Sequence, residues 1–201
     1  MRTFCFVVTL ITPVIMEAQT SSGYKIGDKV ADFRLKNVDG SMVSLYEQKE
    51  AKGAIVIFTC NHCPYAKAYE QRIIELDKTY RPKGFPVLAI NPNDPKRVPD
   101  DSFENMVKRA KEKKYTFPYL FDETQQVART FGATRTPQVF LLRKSGEDWV
   151  VSYIGAIDDN TEDAGAVKNP YVINALEALL KGQEPPVRET KAVGCTIKWK
   201  V

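Results

Sequence analysis

Histidine is almost missing from this chain: His62 is the single one in 201 residues. A metal centre built on several imidazoles is excluded by that count. Cysteine is scarce as well, with four in the chain, at positions 5, 60, 63 and 195. Cys5 falls in a leader-like segment, so three remain, and an odd number rules out a complete set of intramolecular disulfides. No single sign of charge dominates. Twenty-nine Lys and Arg are scattered among 25 Asp and Glu for a net +4. Without a basic stripe there is nothing to grip phosphates, and no nucleic-acid partner is expected. Repeats, low-complexity segments and a second-domain linker are missing too. Hydrophobic residues at 43% and charged residues at 27% describe a soluble globular chain with a sizeable core. Its length suits one domain.

No apolar run beyond residue 16 is long enough to cross a bilayer. The first residues are different. Arg2 precedes a mostly apolar stretch containing Phe4, Phe6, Val7, Val8, Leu10, Ile11, Val14 and Ile15, and polar residues follow at once. This predicts a secretory signal peptide over residues 1–18, cleaved near Ala18-Gln19, ahead of a domain over residues 24–201. Met16 sits where a small residue is preferred, and an uncleaved membrane anchor is the other reading. The protein is expected to be exported, periplasmic or extracellular, with no stable membrane insertion after cleavage. An oxidising compartment suits a pair of close cysteines that cycles.

The rest of the chain alternates strand and helix signals. Phe33 to Lys36 and Met42 to Leu45 flank an Asp39-Gly40 turn, a hairpin signal. Ala54 to Phe58 is a continuous apolar run, as a central strand buried on both faces requires. A helix is expected to open at the following cysteines, because Ala66, Tyr69, Ile73, Leu76 and Tyr80 recur at helical spacing. Pro86 to Ile90 reads as the next strand. Asp101 with Glu104 resembles a capping box for a helix reaching about Lys114. A short apolar piece (Tyr119 to Phe121), a short helix stopped by Gly132, strands at 138–142 and 149–154, and a helix between Pro170 and Gly182 complete the order. The tail from Cys195 to Trp199 is expected as an added edge strand. Such alternation predicts an α/β fold with a central mixed sheet, helices on both faces and an N-terminal hairpin extension.

Cys60-Asn61-His62-Cys63 carries the chemistry. Two cysteines separated by two residues can close a small disulfide ring, and here they stand between a buried strand and a helix. The partial positive charge and free N–H groups of a helix N-terminus favour a thiolate. Cys60 is therefore expected to be an exposed nucleophile of lowered pKa, with Cys63 resolving the mixed disulfide. His62, between them, would favour the thiolate and make the pair more oxidising. A zinc site would need four ligands, and Cys60, Cys63, His62 and the distant Cys195 are the whole supply, so no metal is expected. Pro137, at the entrance of the strand from Gln138, is a candidate cis proline with Thr136 before it. Cys195 is either a third redox thiol or a buried tail residue.

These residues resemble the thioredoxin superfamily, and within it the redoxin group related to TlpA-like and alkyl hydroperoxide reductase/thiol-specific antioxidant proteins. The likeness is carried by Asp32-Phe33-Arg34-Leu35 with Asp39-Gly40, by Phe58 to Pro64, by Asn91 to Ser102, by Thr136-Pro137 and by Gly194 to Trp199. It implies a thioredoxin-like fold and a cis Pro137 facing the cysteines. It also implies that Thr136 pairs its backbone with an extended substrate peptide, and that Cys60 leads. Thr59 stands where thioredoxin proper has Trp, Asn61-His62 replaces Gly-Pro, and strand 54–58 lacks an acidic residue. The implied activity is thiol–disulfide exchange with protein thiols or a partner redox protein, with no bound cofactor. A thiol-dependent peroxidase is the alternative, with Cys63-Pro64 as the peroxidatic position and Cys60 where that group carries Thr. A copper carrier would need a distant His, which this sequence lacks.

Overall fold

The computed structural model describes residues 23–201. The expected leader, its cleavage point and Cys5 lie outside the described residues. No helix among the described residues is long and apolar enough to cross a membrane.

The elements follow the expected order. A short β1 (Lys29–Val30) leads to the hairpin β2 (Arg34–Asn37) and β3 (Met42–Ser44), then to β4 (Gly53–Phe58) and α1 (Pro64–Tyr80). Next come β5 (Val87–Asn91), α2 (Phe103–Lys113), β6 (Tyr119–Phe121) and α3 (Gln126–Phe131). The last third holds β7 (Arg135–Thr136), β8 (Gln138–Ser145), β9 (Asp148–Gly155), α4 (Tyr171–Leu180) and β10 (Cys195–Thr196). Eight strands form one mixed sheet in the order β1-β9-β8-β4-β5-β6-β2-β3. β4 runs parallel to β5 and antiparallel to β8, and the hairpin joins through β2 against β6.

Residue alternation along β4 sends Ile55 and Ile57 to one face and Ala54, Val56 and Phe58 to the other. The first face is covered by Tyr69, Ile73, Leu76 and Tyr80 of α1 and by Val172, Ala175 and Leu176 of α4. The second packs against α3 through Ala128 and Phe131, and receives Ile197 from the tail. Both faces are buried, which is why β4 reads as an unbroken apolar run. Two charges on the buried side of α1 are matched. Glu70 pairs with Arg109 and accepts the Tyr115 hydroxyl at 2.7 Å. Asp77, fully buried, accepts from Arg81, the Val87 N–H and the Thr116 hydroxyl.

Two expectations change. The cap of α2 is Ser102, whose Oγ accepts the Asn105 N–H at 3.4 Å, and not Asp101. Asp101 closes a 3-10 turn over residues 99–101 and points into the sulfur site. The tail strand β10 joins no edge of the main sheet. It pairs antiparallel with β7 as a separate two-stranded unit, Cys195 opposite Thr136.

Candidate active site

β4 delivers the chain to Thr59 and Cys60, and α1 begins four residues later at Pro64. Proline at the first helical position costs no hydrogen bond, because that N–H would lack a helical partner anyway. Cys63 is therefore the N-cap residue, extended at φ −64° and ψ 125°. Its carbonyl accepts the Lys67 N–H at 3.0 Å. Of the two motif cysteines, Cys63 alone stands on the positive end of the helix.

The expected Cys60–Cys63 disulfide is not the one formed. Cys63 is bonded to Cys195, 132 residues away, with a Cα–Cα separation of 6.0 Å. That spacing is ordinary for a disulfide. It is set by the strand pairing of Cys195 with Thr136 and held by Arg135, whose Nη1 donates to the Gly194 carbonyl at 3.0 Å. The Thr136–Pro137 peptide is cis. The backbone of Thr136, expected to pair with a substrate peptide, pairs with this chain's own tail.

Cys60 keeps its thiol and is only 4% exposed, so it is not the open nucleophile the sequence predicts. Its Sγ lies 3.2 Å from the Thr136 hydroxyl and 3.5 Å from His62 Nδ1. Burial, and then the Asp101 charge, push the Cys60 thiol up to about 11, against the weaker pull of the Thr136 hydroxyl and the Cys63 and His62 N–H groups. The expected lowering is reversed because Cys60 is buried, lies beside a carboxylate and precedes the helix end.

Asp101 is the residue that sequence reading missed. Strand β4 carries no acid, but this fully buried side chain reaches the motif from the loop after β5. Its Oδ1 accepts the backbone N–H groups of Asn61 at 2.7 Å and His62 at 3.1 Å. Its Oδ2 meets Asn93 Nδ2 at 2.8 Å and His62 Nδ1 at 2.5 Å. Asn93 in turn accepts the Lys198 N–H at 2.8 Å, tying this network to the tail. Tyr119 donates its hydroxyl to Asn61 Oδ1 at 3.0 Å and closes the floor. His62 thus spends Nδ1 chiefly on Asp101, and it touches the Cys60 sulfur only at the longer distance.

Among the described residues, Cys60, His62 and Asp101 also bring three ligand-type atoms within 4.8 Å of one another. Nδ1 and the carboxylate are hydrogen-bonded to each other, and three donors fall short of a closed tetrahedral set. The geometry is that of a carboxylate–imidazole pair beside a thiol.

A mixed sheet with helices on both faces, a sulfur pair at the start of α1 and a cis Thr136–Pro137 peptide whose Thr136 oxygens meet both sulfurs define a thioredoxin-like fold. The sequence pattern of the AhpC/TSA family matches residues 26–149, and the chain belongs to that family. Cys60 and Cys63 fall inside the match, and Cys195 beyond it. The crystal structure of an uncharacterized conserved protein from Geobacillus kaustophilus is similar at 39% identity, covering 90% of this chain and 95% of that one, with TM-score 0.81. A hypothetical protein from Sinorhizobium meliloti 1021 is similar at 30% identity over 89% of this chain and 97% of that one, with TM-score 0.81. The thiol-disulfide oxidoreductase ResA of Geobacillus thermodenitrificans (strain NG80-2) is 28% identical over 61% of this chain. The chain spans 66% of that relative's length.

Proposed function

We propose that this protein is an exported thiol–disulfide oxidoreductase that exchanges its Cys63–Cys195 bond with protein thiols or a partner redox protein. One observation carries the reading: a disulfide joins the N-terminus of α1 to a strand laid on Thr136 and cis Pro137, with a further thiol beside it. The name of the ResA relatives supports it.

Cys195 is half-buried and Cys63 fully buried, so a substrate thiolate meets the Cys195 sulfur first. A new S–S bond forms there, the Cys63–Cys195 bond breaks, and Cys63 leaves as a thiolate. The helix N-terminus favours that charge, which makes Cys63 the better leaving group. A second substrate thiol then attacks the mixed disulfide and frees Cys195. Two electrons pass from the substrate dithiol to the protein, and the disulfide itself carries them, with no bound cofactor. Thr136 and Pro137 position the strand that bears Cys195. His62 acts through its bond to Asp101.

Oxidised protein mixed with a reduced model dithiol protein is expected to oxidise one dithiol per molecule, and Cys63→Ser to oxidise none. Retained oxidation in Cys63→Ser would defeat the proposal. A peroxidase led by Cys63 predicts continuous hydrogen peroxide consumption with a thiol reductant, which the exchange reading does not.

A further inference from the structure

The exchange just described leaves Cys60 idle, although it lies against the Thr136 hydroxyl and the His62–Asp101 pair. Cys60 is only 4% exposed, so no outside protein reaches it while the tail is in place. The sulfurs it can reach are those of its own site. Cys60, Cys63 and Ala66 form one packed cluster, with Cys195 against it. The sulfurs of Cys60 and Cys63 each lie 3.2 Å from an atom of the same residue, the hydroxyl and the carbonyl oxygen of Thr136. Their spacing in the chain is that of a ring-forming pair.

Resting on the exchange activity proposed above, we propose that Cys60 is a second exchange partner of Cys63, shifting the disulfide from an outer to an inner position. The Cys60 thiolate attacks the Cys63 sulfur, a Cys60–Cys63 bond forms, the Cys63–Cys195 bond breaks, and Cys195 leaves. One S–S bond replaces another, so no external oxidant or reductant is consumed. The proton lost by Cys60 ends on the Cys195 thiolate, and the His62–Asp101 pair is the adjacent group able to carry it.

The shift cuts the tail loose locally. Residues 191–196 are a strap fixed at both ends: Thr190 bonds to the Ile154 carbonyl at 3.0 Å, and Ile197 is buried in the core. Between these anchors, the disulfide, the Arg135–Gly194 bond and two residue pairs against β7 hold it down. Once the bond moves inward, a free Cys195 thiol rides on a short tethered strap. Cys195 oxidises substrates only while it is bonded to Cys63, Cys63 is common to both disulfides, and Cys60 stores the oxidised state inside until the bond shifts back.

Trypsin reads the two states. Cys60 and Cys63 share the peptide of residues 53–67, and Cys195 lies in that of residues 192–198. Wild-type protein equilibrated in glutathione buffer, acid-quenched and alkylated is expected to give two populations. One is the cross-linked pair of peptides with label on Cys60; the other is an internally bridged 53–67 peptide with label on Cys195. Cys195→Ser is expected to oxidise to the inner bond throughout, and Cys60→Ser and Cys60→Ala to hold only the outer one. If wild-type protein yields no inner bond at any buffer ratio, or if Cys195→Ser stays a dithiol, the inward shift is wrong. The exchange reading survives that result as long as Cys60→Ser still oxidises substrate dithiols; it falls separately if Cys63→Ser does.

Discussion

A single methyl group at Gly194 probes the strap directly. A Cβ there would fall 2.7 Å from the Thr136 carbonyl carbon and 3.0 Å from the Pro137 nitrogen, and closer still to the Thr136 carbonyl oxygen. These are backbone atoms beside the buried sulfurs and cannot swing aside as a side chain would. Overpacking of this kind costs about 1–3 kcal/mol. The cost applies while β10 lies on β7, which the Cys63–Cys195 bond enforces. If reduction lets the strap lift, the clash is relieved only in the reduced protein. Reduction is then favoured by the same amount, and for two electrons about 1.4 kcal/mol corresponds to about 30 mV. Gly194→Ala is therefore expected to raise the midpoint potential by roughly 20–65 mV. The assay equilibrates protein in dithiothreitol buffers of graded potential, quenches with acid, alkylates and measures the cross-linked peptide. Thr196→Ala, an exposed side chain on the same strand, is expected to leave the midpoint in place. An unshifted midpoint in Gly194→Ala would show that the strap stays down in both states, and the argument for local release would fail.

Three further predictions concern the Cys60 thiol and two buried carboxylates. With its thiol pushed up to about 11 from an ordinary 9.0, Cys60 ionises in only about one molecule in a thousand at pH 8. Its alkylation in the oxidised protein should rise about tenfold per pH unit from pH 8 to 10. The groups facing it are Asp101, His62, Tyr119 and the Thr136 hydroxyl. Asp101→Asn removes the negative charge and should move that profile to lower pH, checked on protein whose circular dichroism matches wild type; an unmoved profile would discount the charge. Asp77→Ala leaves the Val87 N–H and the Thr116 hydroxyl without their acceptor. Val87 is fully buried and its orphaned N–H costs about 1–3 kcal/mol, whereas the exposed Thr116 can turn to water; a loss of roughly 1–3 kcal/mol is therefore expected by urea unfolding, and an unchanged stability would contradict the assignment.

The elements that position the site were legible because their burial repeats. Ala54 to Phe58 is apolar at every residue, and Ala66, Tyr69, Ile73, Leu76 and Tyr80 mark one helical stripe; all of them are buried. The site itself was legible only in part. The motif spacing pointed to a Cys60–Cys63 ring, but spacing cannot weigh a cysteine 132 residues distant that a strand pairing brings alongside. That pairing is two residues long, too short for any periodicity to announce it. Asp101 was misread for a local reason. Asp101 and Glu104 imitate a capping box, yet Ser102 takes the cap, and the freed carboxylate turns toward residues 40 positions earlier. One buried side chain thus did the opposite of what its immediate neighbours implied.

The long reach of the Cys63–Cys195 link has a thermal consequence. It ties the start of α1 to a point near the C-terminus, and a cross-link closing so many residues restricts the unfolded chain by about 3–5 kcal/mol. Whole domains are stable by only about 5–15 kcal/mol. The bond that would change hands during turnover is therefore also a staple of the molecule, and heat tolerance is bound to oxidation state. A reductive surge would lower the melting point, and an inward-shifted bond, closing a far smaller loop, would restore less than half of that loss.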